Sequence, residues 1–137
     1  EQLAKVKGVV PETVLPNGYA ILNADDELVY KMRKNVESKV ALFSMDEDNI
    51  HIKAMQKRDG LCAIYENGFI TICKGQWKMR IIKAVNVPLT YGGKAKFMIQ
   101  NVLPAVLAAH VQGFNNEDIK VAFRDIYSFS HTNAWTT

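Results

Sequence analysis

Residues 18–44, GYAILNADDELVYKMRKNVESKVALFS, decide the fold. Tyr19 to Leu22 is a short apolar run that follows the turn signal Pro16-Asn17-Gly18, and it reads as a buried strand. The run breaks into Asn23-Ala24-Asp25-Asp26. A helical pattern follows over about 26–35, with Leu28, Val29 and Met32 on its apolar face and Asp25 or Asp26 placed to cap it. Lys39 to Ser44 is a second apolar run. Strand, helix and strand at this spacing predict parallel strands with a helical crossover, hence an α/β sheet. The polar quartet then falls at a strand's carboxyl end, where open α/β sheets bind their ligands.

Downstream the pattern changes. Asp48 or Asn49 is placed to cap a helix through about Arg58, closed by Gly60. LCAIY, then Glu66-Asn67-Gly68, then FITIC predicts a hairpin, because Asn-Gly suits a type I′ turn. Lys74-Gly75-Gln76 turns into a third strand, WKMRIIKA, where alternation predicts Trp77, Met79 and Ile81 on one face. The result is a small antiparallel meander at about 61–84. Two helices close the pattern. One runs from about Phe97 or Gln100 to Val111. A start near Asn101 would put Pro104 in its first turn, where proline is tolerated. The other runs from Asn116 to about Tyr127, capped by Asn115 or Asn116. Upstream, Leu3, Val6 and Val10 stand at helical spacing ahead of Pro11.

At 137 residues and 48% hydrophobic, the chain suits one domain or a compact piece of one. Its 17 basic and 14 acidic residues leave a net charge of +3 with no basic run, which argues against nucleic acid as a partner. Cys62 and Cys73 lack any partner motif and read as reduced thiols of a cytoplasmic protein. No apolar run reaches the length of a membrane span and no signal peptide opens the chain, so no membrane partner is expected. The first residue is Glu1 rather than Met, so the chain reads as an excised piece.

Three segments together resemble a known family. GYAILNADDELV resembles the strand-end NADD element in the central domain of the Mur ligases. VPLTYGGKAKFMIQNVLPAVLAAHVQG resembles the later element that the family carries as G-x-HNxxN-ALAA. The form PLTYGGKAKF followed by IQN, and the approach EQLAKVKGVVPETVLPNGYAILNADD, are closest to the cyanophycin synthetase branch. The resemblance implies the second half of a Mur-ligase-like, ATP-binding central domain. The parent it implies is an ATP-dependent amide ligase that joins arginine to the aspartate side chains of a poly-aspartate backbone through an acyl phosphate. ATP and Mg²⁺ are then its cofactors, arginine and the aspartate polymer its partners, and a cytoplasmic homo-oligomer its expected state. No G-x-x-x-x-G-K-[ST] phosphate loop occurs in the 137 residues, and the family's lid domain is not represented. No catalytic residue is expected in this chain, and by itself it is expected to be inactive.

Four residues are candidates for nucleotide contact: Asn101, Asn23, Asp26 and Lys96. Asn101 matches the last Asn of HNxxN, which in the family meets the adenine; a carboxamide can pair with that base's N6 and N7 edge. The alternative is a helix-start residue bonding its own backbone. Phe97 stands where the family has His, and Met98 replaces the first Asn. Asn23, Asp25 and Asp26 either form an Asx turn and a helix cap or line the nucleotide crevice. Lys96 belongs to the loop Gly92-Gly93-Lys94-Ala95-Lys96, which suits a phosphate or an acidic polymer, or is a solvated lysine loop. His51, His110 and His131 have no metal-site spacing, so no metal ligand is expected. Two rivals stay open: a stand-alone domain that binds a nucleotide or a partner protein without chemistry, and a piece of another Mur-type ligase.

Overall fold

The computed structural model describes residues 18–90 and 92–125. The expected helical spacing at residues 1–10 lies outside the described residues. Strand β1 (Tyr19–Asn23) leads to a short helix α1 (Glu27–Lys31), extended by a 3₁₀ turn (Met32–Asn35), and then to β2 (Lys39–Ser44). Helix α2 (Ile50–Lys57) connects β2 to β3 (Leu61–Glu66). Strands β4 (Phe69–Lys74) and β5 (Trp77–Lys83) complete a five-stranded sheet in the order β1-β2-β3-β4-β5. β1, β2 and β3 are parallel, whereas β3, β4 and β5 are antiparallel. Short 3₁₀ turns at Ala84–Asn86 and Pro88–Thr90 precede helix α3 (Lys96–Val111). A last helix, α4, is described over 116–125. The mixed α/β sheet with its terminal meander is the expected fold class.

Local chemistry sets the boundaries. Asp26 caps α1 by accepting from the Leu28 and Val29 amides, and Asn49 caps α2 by accepting from the His51 and Ile52 amides. Asn115 caps α4 through the Asp118 amide. The β3–β4 turn has positive φ at both Asn67 (52°) and Gly68 (81°), the type I′ signature. At the end of α2 the left-handed residue is Asp59 (φ 61°), not Gly60 as the sequence suggests. Gly60 is required for another reason: any Cβ there would collide with the Met55 side chain.

Strand register builds two cores. On one face Leu22, Leu42, Cys62 and Cys73 lie in a row across β1 to β4, each at most 1% exposed. They pack with Tyr30 of α1 and with Ile52 and Met55 of α2. On the other face Phe43, Ala63 and Ile72 form the matching row under Val102, Leu103, Val106 and Leu107 of α3 and Ile119 of α4. Burying such Leu and Ile side chains contributes about 1.5–3 kcal/mol each, so the three layers are mutually dependent.

Two expectations are corrected. α3 starts at Lys96, so Asn101 lies inside the helix and does not open it, and Pro104 lies in the interior. The apolar face of 99, 102, 103, 106 and 107 is continuous across the proline, and its burial outweighs one lost i→i−4 bond to the Gln100 carbonyl. In β5 Met79 and Ile81 face the same core, as the alternation predicts, but Trp77 is exposed and Ile82 is buried next to Ile81. Ile70 pairs with Ile82 and Thr71 with Arg80, so a β-bulge at Ile81 breaks the alternation and brings Ile82 into that core as well.

Candidate functional site at the carboxyl edge of the parallel strands

The carboxyl ends of β1 and β2 are joined by a polar network. The Asn23 side chain accepts from the Asp25 amide at 2.9 Å, an Asx turn that bends the chain out of β1. Asp26 Oδ1 is occupied with the α1 amides at 3.0 and 3.2 Å. Asp25 reaches across the gap: its Oδ1 accepts from Ser44 Oγ at 2.6 Å and from Asn49 Nδ2 at 3.0 Å, and its Oδ2 accepts from the Met45 amide at 2.8 Å. Asn49 Nδ2 also donates to the Ala24 carbonyl at 3.2 Å. His51, the second residue of α2, holds Glu27 Oε2 at 2.7 Å through Nε2 and stacks on the Tyr30 ring with centroids 3.5 Å apart. The other face of Tyr30 carries the Arg33 guanidinium at 4.0 Å.

At the end of β3, Glu66 is buried and bound by Lys78 Nζ at 2.6 Å. That hydrogen bond holds the Glu66 carboxyl below its usual range and the Lys78 ammonium above its own. Tyr65, its neighbour in β3, lies under Lys96, whose Nζ is 5.6 Å from the ring centroid. Helix α3 therefore starts at the same edge of the sheet as the β1–α1 loop. The preceding turn is built on Gly92 (φ 71°) and Gly93 (φ 84°). It is pinned by buried Thr90, whose Oγ1 donates to the Ala84 carbonyl at 2.6 Å and accepts from the Gly93 amide at 3.0 Å.

The four candidate residues divide into two pairs. Asn23 and Asp26 share the β1–α1 loop, and their side chains are engaged in an Asx turn and a cap. Lys96 and Asn101 share α3. Asn101 is exposed, and among the described residues its carboxamide has no hydrogen-bond partner. The alternative of an Asn bonding its own helix start is thereby excluded. No hydrogen bond or ion pair joins the two pairs among the described residues. Asp25, Ser44 and Asn49 act as one unit that the sequence reading did not assemble; the only signal was the polar termination of two successive apolar runs.

His110 lies in the last turn of α3, and burial pushes its imidazole below the ordinary range. Among the described residues no group of His, Cys, Asp and Glu stands together in a way that would hold a metal ion. Among them, too, no helix is long and apolar enough to cross a membrane.

The sequence has counterparts among known proteins. Over 124 residues, 90% of the chain, it is 56% identical to cyanophycin synthetase of Crocosphaera subtropica and 52% identical to that of Geminocystis herdmanii. It covers 14% of each of those proteins. A more distant relative is UDP-N-acetylmuramoylalanine–D-glutamate ligase of a Geobacillus species, 29% identical over 119 residues, 87% of this chain and 22% of that protein. No protein-family model matches the chain. The chain is thus similar to one segment of cyanophycin synthetases along nearly its whole length, and the likeness extends to a Mur ligase, as the NADD and PLTYGGKAKF elements imply.

Proposed function

We propose that this chain, a relative of cyanophycin synthetases, is the base-binding half of the nucleotide domain of an ATP-dependent amide ligase. The reaction is the addition of arginine to aspartate side chains of a poly-aspartate backbone, carried out in the cytoplasm by a longer, homo-oligomeric enzyme. The observation that carries the reading is the 56% identity over 90% of the chain, taken together with an unpartnered, exposed carboxamide on α3, the helix that starts at the carboxyl edge of the parallel strands.

ATP supplies the phosphoryl group that turns a carboxylate into an acyl phosphate, which the arginine amine then displaces. The residues here suit the base end of that nucleotide. Asn101 offers an acceptor and a donor side by side, as the N6 and N7 edge of adenine requires. Lys94, in the glycine turn ahead of α3, and Lys96, its first residue, add positive charge near the helix's positive end. Asn23, Asp25 and Asp26 hold the β1–α1 loop in one shape, and so set the wall of the crevice. No G-x-x-x-x-G-K-[ST] phosphate loop occurs in the 137 residues. Phosphate and metal positioning, which make up nearly all of phosphoryl-transfer catalysis, fall to other parts of the enzyme. The chain alone is therefore inactive.

The test is an assay of the longer enzyme that carries this segment, with an aspartate polymer, labelled arginine and ATP. ADP release in step with arginine incorporation supports the reading. A protein that binds adenine nucleotides but incorporates neither arginine nor another amino acid favours a binding domain without chemistry.

A further inference from the structure

Lys78, Arg80 and Lys83 stand on β5, the outermost strand of the sheet. Lys78 pairs with Cys73, Arg80 with Thr71 and Lys83 with Phe69, and directly opposite residues share a face. All three cations therefore lie on the side of the sheet that carries α1 and α2. Strict alternation would send Lys83 to the other side; the bulge at Ile81 returns it beside Arg80. One ring gathers these two, with Arg80 Cζ 4.6 Å and Lys83 Nζ 5.8 Å from the Phe69 centroid. Both are exposed, and among the described residues neither has a carboxylate partner. Glu66, whose carboxyl feels the Arg80 charge, is already bound by Lys78 at 2.6 Å. Phe69 pairs with Glu66 at the end of β3, so the two free cations stand at the same edge of the sheet as the Asp25–Ser44–Asn49 network.

Two like charges over one ring, with no anion to balance them, fit an anionic ligand. The strand edge says which kind. β5 pairs only with β4, so among the described residues its outer backbone groups meet no further strand. An extended polypeptide can add to such an edge through its main chain. Lysines on an edge ordinarily keep other strands away. Here the cations repel a second copy of β5 but attract a chain with carboxylates on alternate residues, about 6.8 Å apart. A nucleic acid has no peptide groups to offer the edge. We propose that the outer edge of β5, with Arg80 and Lys83, docks an extended acidic polypeptide through its carboxylates; that the occupant is the aspartate polymer rests on the ligase reading above.

The test is titration of a short poly-L-aspartate peptide into the ¹⁵N-labelled chain at physiological ionic strength, read from the amides of 77–83. The KM for the aspartate polymer in the longer enzyme is measured beside it. Arg80→Gln combined with Lys83→Gln is expected to weaken the peptide and raise that KM roughly five- to tenfold, as two exposed ion pairs supply, with the KM for ATP unchanged. Lys31→Gln combined with Lys34→Gln removes the same charge from exposed positions elsewhere and should change neither. If that second pair loses as much, or an oligonucleotide moves the β5 amides as strongly, the attraction is one of net charge and the docking surface is overturned. If the longer enzyme adds arginine while the Arg80 and Lys83 changes leave binding and polymer KM as they were, the docking surface is overturned and the ligase reading stands. If the peptide binds through Arg80 and Lys83 but the longer enzyme adds no arginine, the docking surface stands and the ligase reading falls.

Discussion

Asn49 Nδ2 donates to Asp25 Oδ1 at 3.0 Å across 24 residues of sequence, while Asn49 Oδ1 caps α2. One side chain thus starts a helix and fixes the loop that ends the neighbouring strand. The carboxyl edge of the sheet is shaped by this pair before any ligand arrives.

Asp25→Ala removes the acceptor for Ser44, Met45 and Asn49 at once. We expect a loss of about 1–2 kcal/mol in urea unfolding, since charge-assisted bonds are strong but this carboxylate is largely solvent-exposed. A midpoint unchanged from wild type would show that the network adds nothing to stability.

The hairpin turn offers a second check. Gly68→Ala forces a side chain to φ +81° with open space around it, so the penalty is purely conformational. About 1–2 kcal/mol of stability should be lost without change in the denaturant m-value. A neutral result would mean that the turn relaxes out of type I′.

How much of this could be read from the chain follows from range. The strand 39–44, the Asn-Gly hairpin and the Asp26 cap rest on neighbours within a few residues, and each was legible. The Asp25–Ser44–Asn49 network joins positions far apart, and no period or spacing announces it. The start of α3 near Phe97 was legible, but the later start near Asn101 that Pro104 favours locally is not adopted, because burial of Val102, Leu103, Val106 and Leu107 decides the helix. The burial of Ile82 beside Ile81 depends on a bulge against β4, which a single strand's alternation does not contain. Asn101 is a candidate only through family resemblance; its exposure and unused carboxamide come from the fold.

Glu66 and Lys78 make stability depend on pH at both ends. The Glu66 carboxyl titrates lower in the folded protein than unfolded, so its contribution is present above about pH 4.3 and fades as pH falls through the depressed folded value. Lys78 titrates higher when folded, so its contribution is present below about pH 10.4 and fades as pH rises through the raised value. Glu66→Gln should flatten the acid limb of a stability–pH curve measured by urea titration. An acid limb as steep as the wild type's would assign it to other carboxylates.

Cys62 and Cys73 face each other directly across β3 and β4, both at 0% exposure. Contact with the neighbouring thiol, together with burial, pushes the Cys62 thiol far above its ordinary range. Because both thiols are fully buried, a thiol reagent at pH 8 should label neither residue in the native chain and both in denaturant. Rapid native labelling would mean that the hairpin opens readily.

The central claim is that α3 presents Asn101 to the adenine of ATP, and steady-state kinetics of the longer ligase carrying Asn101→Ala test it most directly. Losing one net hydrogen bond costs about 0.5–1.5 kcal/mol, so the KM for ATP in arginine addition should rise roughly three- to tenfold. A urea-unfolding midpoint equal to the wild type's would report that the variant is folded. An unchanged KM for ATP in arginine addition by the folded variant would contradict the account.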